Sequence, residues 1–312
     1  MPDRGKSRAD RWFRLFVLGV ASAIPLLCLL YFLVLSDKSW PTLARYGLGF
    51  LTGPSWNPVR SVFGALPMVY GSLVTSAIAL LLAVPISVGV AVFLSEISPR
   101  RLMRPVSFLV EMLAAVPSVI YGLWGIFVLV PLLRVHVYPA LRTYLGFLPL
   151  FQGNIYGFGM LTAGIILAIM IIPIVSSISR DALQAVPDSQ REALYALGGT
   201  RSEVIRTAVL GYARPGVIAA VFLGFGRAFG ETMAVTMLIG NTSQISASLF
   251  APGYTLASLI ANQYSEAVAP LYISAIIEIG LVLLLVSFAA NLVGQLIVRR
   301  FVAGQQGGGA GM

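Results

Sequence analysis

The sequence predicts an all-α membrane protein with six transmembrane helices, and three observations lead to that fold class. Of the 312 residues, 58% are hydrophobic and only 11% are charged, whereas a soluble domain carries about 25% charged residues. The apolar residues lie in runs long enough to cross a bilayer core of about 30 Å. The basic residues cluster at the ends of those runs, where the positive-inside rule places them.

The composition also argues against several classes of site. The net charge of +9 does not indicate nucleic-acid binding, because no basic stripe is interleaved with aromatic residues. The single cysteine, Cys28, and the single histidine, His136, leave too few ligands for a metal site. Gly5-Lys6-Ser7 lacks the preceding strand and glycine of a nucleotide-binding loop. We therefore predict no bound metal, no cofactor and no ATPase site.

The first element is an apolar run at residues 12–35, preceded by a basic segment at 1–11. Ala21-Ser22-Ala23 fits the small-x-small pattern of a signal-peptide cleavage site, but the apolar run continues for a dozen residues beyond it. We therefore expect an uncleaved anchor helix. Residues 36–65 are expected to form an external loop with tryptophans at the membrane interface.

Five further spans form the predicted core at residues 66–298. Their expected bounds are 66–94, 105–133, 155–179, 214–240 and 270–298. Pro117 should kink the third span or end a turn there. Residues 134–154 are apolar but broken by prolines and glycines, so we expect an external loop partly in the interface. Residues 180–213 are expected to form a charged cytoplasmic loop, and the glycine-rich tail at 299–312 is expected to be disordered and cytoplasmic.

The distribution of basic residues predicts the orientation of the chain. With six spans and an internal N-terminus, 15 of the 21 lysines and arginines lie inside, five lie outside and Arg227 lies within a span. This asymmetry predicts that both termini are cytoplasmic.

The fifth span carries two charges at membrane depth. Arg227 lies thirteen residues from each end of the run from Arg214 to Gly240. That is about 20 Å from either end of a helix, so we expect Arg227 near the midplane. A charge at that depth costs about 2.5–3.5 kcal/mol on insertion scales.

Glu231 follows Arg227 at i+4, so both side chains are expected on one helix face. The two charges could simply neutralise each other, but charges within a membrane more often mark a pathway. An arginine there could bind a tetrahedral oxyanion through paired hydrogen bonds. Gly226 and Gly230 have the Gly-x-x-x-Gly spacing that suits close helix packing. Glu111 and Glu278, the other carboxylates in predicted spans, are expected to be structural partners.

The charged loop contains a predicted docking helix. Glu192 and Ala193 begin a helical stretch that runs to a glycine stop at Gly198. A solvated loop helix is one interpretation. The small apolar residues Ala193 and Ala196 favour instead a face that fits the groove of a partner.

This stretch resembles the cytoplasmic coupling loop of importer-type ABC permeases, which begins with Glu-Ala-Ala and contains a later glycine. Leu194 replaces the second alanine, while Ala208 and Gly211 replace the isoleucine and proline that close the motif in that family. Other segments resemble phosphate-specific (Pst) permeases, namely Pro117–Gly122, Gly226–Ala234 and Ile239–Thr242. Two segments of the first outer loop, Trp56–Pro58 and Phe63–Pro67, resemble the PstC subunit rather than its PstA partner.

The resemblance implies the MetI-like, type I ABC importer permease fold and a multi-pass protein of the inner membrane that translocates inorganic phosphate. The implied partners are a PstA-like permease, two ATPase subunits that hydrolyse ATP, an external phosphate-binding protein and membrane lipid. Glu192, Ala193 and Gly198 would couple to the ATPase, and Arg227 and Glu231 would line the phosphate pathway.

Three alternatives stay open. The first is a permease of the same fold for another oxyanion, such as molybdate or sulfate. The second is an ion-coupled secondary carrier in which Arg227 and Glu231 relay ions, although such a carrier needs no docking helix for an ATPase. A membrane enzyme is the weakest alternative, because no nucleophile and base are visible together.

Overall fold

The computed structural model describes residues 8–307, and every regular element within that range is helical. Six of the helices are long and apolar enough to cross a membrane. They are Trp12–Tyr46, Leu66–Ile97, Ser118–Leu145, Met160–Gln184, Arg201–Gly230 and Pro270–Arg300. The predicted all-α fold with six transmembrane helices is confirmed.

The first half of the chain contains seven α-helices. They are α1 (Arg8–Tyr46), α2 (Gly49–Thr52), α3 (Leu66–Val92), α4 (Arg100–Ala115), α5 (Ser118–Trp124), α6 (Val130–Leu132) and α7 (Tyr138–Leu145). Wider π-helical turns at Phe93–Ile97, Gly125–Leu129 and Leu133–Val137 extend α3 and join α5, α6 and α7 into one long helix.

The second half also contains seven α-helices. They are α8 (Met160–Gln184), α9 (Asp188–Ala196), α10 (Arg201–Glu203), α11 (Leu210–Gly230), α12 (Met233–Leu238), α13 (Leu256–Gln263) and α14 (Pro270–Gly307). A π-helical turn at Val204–Val209 joins α10 to α11, so one helix runs from Arg201 to Gly230.

The first helix is longer than predicted, because α1 continues past residue 35 to Tyr46. Its polar extension is held by the last membrane helix. Ser39 and Thr42 are fully buried, and the Thr42 hydroxyl donates to Ser274 Oγ of α14 at 2.8 Å. The predicted external loop at 36–65 therefore begins only after Tyr46.

The third predicted span, 105–133, is interrupted. α4 ends at Ala115, Val116 and Pro117 have extended backbone, and the membrane-length helix starts at Ser118. This helix runs on to Leu145, so the external loop predicted from residue 134 is wrong for its first part. Pro139 does not break this helix: it is the second residue of α7 and follows the π-helical turn Leu133–Val137.

The other bounds also differ from the predictions. The fourth membrane helix runs from Met160 to Gln184 rather than over 155–179. The fifth span, predicted at 214–240, is divided into α11 and α12. The prediction of disorder is wrong for 299–307, which belong to α14. Residues 1–7 and 308–312 lie outside the described residues.

α8 is the central helix of the core and packs on both α3 and α11. Gly164 of α8 lies so close to α3 that an added Cβ would be 2.5 Å from Ile78 Cγ2. Gly224 of α11 lies equally close to α8, because its added Cβ would be 2.5 Å from Val175 Cγ2. These small residues fix the position of α11, and therefore that of Arg227 three residues further on.

Candidate functional site

Two core helices are interrupted, and the segments that follow the interruptions pack on each other. α4 gives way to α5 at Val116 and Pro117, and α11 gives way to α12 at Glu231 and Thr232. α5 lies directly against α12, since a Cβ added at Gly122 would be 2.5 Å from the Met237 sulfur. Two segments that the sequence places far apart thus form one site, here termed the interrupted-helix site.

Arg227 lies in the last turn of α11, and its side chain is exposed. The unpaired carbonyls at a helix C-terminus stabilise a cation by about 0.3–1 kcal/mol. Tyr121 of α5 is close enough for the charge of Arg227 to act on its phenol, and that phenol donates to the Leu113 carbonyl of α4 at 2.8 Å. Arg227 therefore lies beside the interruption between α4 and α5.

Glu231 does not continue the helix that carries Arg227, so the prediction of an i, i+4 pair on one helix face is wrong. α11 ends at Gly230, and Glu231 has extended backbone with φ −68° and ψ 128°. Its carboxylate accepts a hydrogen bond from the Ala234 N–H at 3.4 Å, in the first turn of α12. The Thr232 hydroxyl donates to the Gly230 carbonyl at 3.2 Å, which further stabilises the break.

Arg227 and Glu231 form no ion pair with each other in the structure. Among the side chains that the structure describes, the ion pairs are those of Arg180 and Arg191 with nearby carboxylates. The guanidinium of Arg227 is thus open to a partner from outside this part of the chain.

Gly226 and Gly230 face open space in the single chain, so the close packing that their spacing favours is not with another helix among the described residues. Both are exposed, and an added Cβ at either would meet nothing within 4 Å. Close contact with α8 comes instead from Gly216, whose added Cβ would be 2.5 Å from Ala182 Cβ. The surface formed by Gly226, Arg227 and Gly230 is uncovered in the single chain and is called the open face of α11.

The two other carboxylates in predicted spans lie in different surroundings. Glu111 Oε1 is 3.6 Å from Arg180 Nη2, and the Glu111 side chain is 57% exposed. Its helix, α4, is not among the six membrane-length helices. Glu278 of α14 is buried, and its Oε2 has no hydrogen-bond partner within the described part of the chain.

The predicted docking helix is α9, and most of its surface is exposed. Glu192 and Ala193 are both exposed. Gly198 has φ +82°, in the left-handed region that favours glycine, and it ends the stretch just after Leu197, which is 84% exposed. A hollow of about 370 Å³ opens beside this end. Its lining residues are Leu194, Leu197, Gly198, Gly199, Glu203 and Thr207.

Sequence reasoning missed the contacts that hold α9 in place. Arg191 Nη2 of α9 lies 3.0 Å from Glu96 Oε1, in the π-helical turn that follows α3. The start of α10 is fixed by reciprocal hydrogen bonds between Thr200 and Glu203. The spacing Thr200-x-x-Glu203 is a capping-box pattern and could have predicted the second contact. No local pattern pairs residues as distant in sequence as Glu96 and Arg191.

The sequence matches the family described as "binding-protein-dependent transport system inner membrane component" over residues 83–303. It is 46% identical to the phosphate transport system permease protein PstC of Mesorhizobium japonicum, over 91% of this chain and 88% of that protein. It is 44% identical to PstC of Xylella fastidiosa, over 96% of this chain and 93% of that protein. The chain belongs to the PstC family of phosphate transport permeases.

A solved structure shows the same fold as this PstC-family chain. The superposition on a chain of the inward-facing MetNI methionine ABC transporter covers 79% of this chain and 99% of that chain, with a TM-score of 0.57 and 18% sequence identity. The predicted type I ABC importer permease fold is therefore confirmed. With six apolar helices, this member of the PstC family is a multi-pass inner-membrane protein. The family consists of transporter permease subunits rather than enzymes.

In this PstC-family chain the predicted site residues fall into two groups that α8 connects. Pro117, Gly226, Arg227, Gly230 and Glu231 lie at the interrupted-helix site, whereas Glu192, Ala193 and Gly198 lie on or next to α9. α8 touches α11 at Val175 and continues for nine residues to Gln184, about 14 Å along its axis. α8 thus runs from its contact with α11 to the short segment that leads into α9.

Proposed function

We propose that this chain is the permease subunit of an ATP-driven importer that moves inorganic phosphate across the cytoplasmic membrane. Arg227 carries this proposal, because it lies on the open face of α11, beside two helix interruptions, and has no ion-pair partner among the described side chains. Membrane transporters often bind substrates where helices are interrupted near the midplane. The likeness to PstC proteins supports phosphate as the substrate.

The chemistry of the two charged residues favours phosphate over other oxyanions. A guanidinium offers two parallel N–H donors that match a pair of phosphate oxygens. An ionised carboxylate only accepts hydrogen bonds, and that of Glu231 receives just one long bond, at 3.4 Å from Ala234. Phosphate near neutral pH keeps an O–H group that can donate a hydrogen bond to the Glu231 carboxylate, whereas sulfate and molybdate have no O–H group at that pH. Sites that hydrogen-bond a substrate hydroxyl can reject analogues that lack it by about 10⁴–10⁵.

We propose that a PstA-like permease covers the open face of α11, so that phosphate passes between the two subunits. An arginine that faced lipid at membrane depth would cost about 2.5–3.5 kcal/mol. Gly226 and Gly230 carry no side chains and meet nothing within 4 Å in this chain, so they leave room for the backbone of a second helix.

We also propose that α9 docks on one of two ATPase subunits, which bind and hydrolyse the ATP. Glu192 and Ala193 are exposed on α9, and the hollow beside Gly198 can receive a side chain from the partner. The excess of basic residues on one side of the membrane supports cytoplasmic termini and a cytoplasmic α9. An external binding protein delivers phosphate to the opposite side.

Uptake of labelled phosphate tests the proposal in vesicles that contain the full complex and its binding protein. Hydrogen bonds to charged groups contribute about 1.5–3 kcal/mol, so Arg227→Gln should lower ATP-dependent uptake roughly 10- to 150-fold. Arg214→Gln is the matched control, because Arg214 is an exposed arginine near the other end of α11, and its uptake should stay near normal. Normal uptake by Arg227→Gln would refute the pathway role. Effective competition by excess sulfate or molybdate would refute the choice of phosphate.

A further inference from the structure

Glu96 lies where the second membrane helix meets the docking helix. It is part of the π-helical turn Phe93–Ile97 that extends α3, and its carboxylate is 3.0 Å from Arg191 of α9. The two side chains are mostly buried, with 12% of Glu96 and 18% of Arg191 exposed. A charge pair that is shielded in this way interacts more strongly than one on the surface.

Arg191 holds α9 through more than this ion pair. The same guanidinium donates to the Leu183 carbonyl at 3.1 Å and to the Val186 carbonyl, which lie in the last turn of α8 and just after it. The Glu96 carboxylate raises the pKa of Arg191, and the guanidinium is charged throughout the physiological pH range. A planar group with several fixed hydrogen bonds sets the orientation of α9 relative to both α3 and α8.

A second arginine, which follows α9 in the chain, also contacts Glu96. Arg201 donates from its guanidinium to the backbone carbonyl of Glu96. Arg201 begins the helix that runs through α10 and α11 to Gly230, and the Thr200–Glu203 capping box fixes that beginning. Glu96 is therefore held both by α9 and by the segment that leaves α9.

We propose that Glu96 and Arg191 form the link through which displacement of α9 reaches the membrane helices, with Arg201 coupling the same point to α11. This proposal rests on the proposed docking of α9 on an ATPase subunit. A docked helix transmits movement only through the contacts that hold it, and the Glu96–Arg191 pair joins α9 to α3. π-helical turns receive the movement on both sides, at Phe93–Ile97 and Val204–Val209, and such turns frequently occur at functional sites. Glu96 and Arg191 are thus positioning residues that act on the pathway from a distance.

Charge reversal in the full complex tests this link. Arg191→Glu places two like charges together, so phosphate transported per ATP hydrolysed should fall about 5- to 150-fold, the usual range of coupling between sites. The second change Glu96→Arg, made in the same chain, should recover part of that ratio because attraction is restored. Asp181→Asn is the matched control, since it removes a carboxylate that pairs with Arg180 at 3.2 Å but is 64% exposed. Its ratio should not change.

Three measurements on each variant separate the possible outcomes: binding of the ATPase subunits, ATP hydrolysis and phosphate uptake. An unchanged ratio in Arg191→Glu, no recovery in the double variant, or loss of ATPase binding in Arg191→Glu would each overturn the link. Ala193→Arg alters the exposed surface of α9 and leaves the Glu96–Arg191 pair in place, so it tests docking separately. Retained ATPase binding by Ala193→Arg would overturn the docking proposal and the link that rests on it.

Discussion

Replacing Gly122 by alanine tests the contact that holds the two interrupted helices together. A Cβ at this position of α5 would lie 2.5 Å from the Met237 sulfur and 3.3 Å from Ala234 Cα of α12. The preferred separation of non-bonded carbon atoms is about 3.5–4.0 Å. The flexible Met237 side chain can move aside, whereas Ala234 Cα cannot move without α12. We therefore expect Gly122→Ala to push α12 away from α5.

The expected magnitude follows from these two distances. Met237 has to retreat by about 1 Å and α12 by a few tenths of an ångström to reach normal separations. Overpacking of this kind costs about 1–3 kcal/mol. The unfolding midpoint of the purified complex should fall by a few degrees, at roughly 2 °C per kcal/mol. Phosphate uptake should also fall, because the displaced α12 includes the N–H to which the Glu231 carboxylate is bonded.

Thermal unfolding, followed by tryptophan fluorescence, and vesicle uptake measure these effects. Gly89→Ala is the control, because Gly89 lies within α3 and an added Cβ there meets nothing within 4 Å. Met237→Ala should cost less stability in the Gly122→Ala chain than in the unaltered chain, because in the former it also removes the sulfur that the new Cβ meets. If Gly122→Ala unfolds at the same temperature as Gly89→Ala, the two helices are not in contact. If Met237→Ala costs the same in both chains, the strain does not arise at Met237.

Two further glycines give opposite expectations. Gly198→Ala has room for the added Cβ, but the backbone conformation at this position is unfavourable for alanine. Its φ is +82°, and a left-handed backbone costs a residue with a Cβ about 1–2 kcal/mol. Phosphate uptake per ATP hydrolysed should therefore fall several-fold in Gly198→Ala. Gly198→Asn should keep more of this uptake, because asparagine tolerates positive φ. Equal losses in the two variants would contradict the backbone explanation. Gly226→Leu should leave membrane insertion unchanged but lower copurification of the second permease subunit, because the leucine fills the open face of α11. Gly19→Leu, another position with nothing within 4 Å, is its control, and unchanged copurification of Gly226→Leu would show that no subunit covers this face.

The membrane helices could be predicted from the sequence because hydropathy and length dominate the cost of crossing a bilayer. The fourth helix, for example, was expected at 155–179 and occupies Met160–Gln184. Helix ends were harder to predict, since polar residues can continue a helix when another helix satisfies them. Thr42, bonded to Ser274, extends the first helix in this way.

Helix interruptions depend on hydrogen bonds that compete with those of the helix. Residue spacing does not show which of the two sets of bonds is more stable. Pro117 marks one break, but Pro139 lies within a continuous membrane-length helix. Nothing in the pattern around Gly230 predicts that α11 ends there. The break depends on the bond from Ala234 to Glu231 and the bond from Thr232 to Gly230. The sequence could therefore predict that Arg227 belongs to a membrane-length helix, but it could not predict that this helix ends at Gly230 or where Glu231 points.

On the proposed function, the break after Gly230 leaves Arg227 available to bind an anion. On a continuous helix, Glu231 would lie one turn from Arg227 and could neutralise it, so phosphate would have to displace an ion pair. The structure directs the Glu231 carboxylate to α12 instead. An unpaired arginine at the midplane would cost about 2.5–3.5 kcal/mol, which is more than the 0.3–1 kcal/mol or so by which a helix C-terminus stabilises a cation. On the proposed function, the partner subunit and the anion supply the rest, so phosphate should bind more tightly to the assembled pair of permeases than to this chain alone.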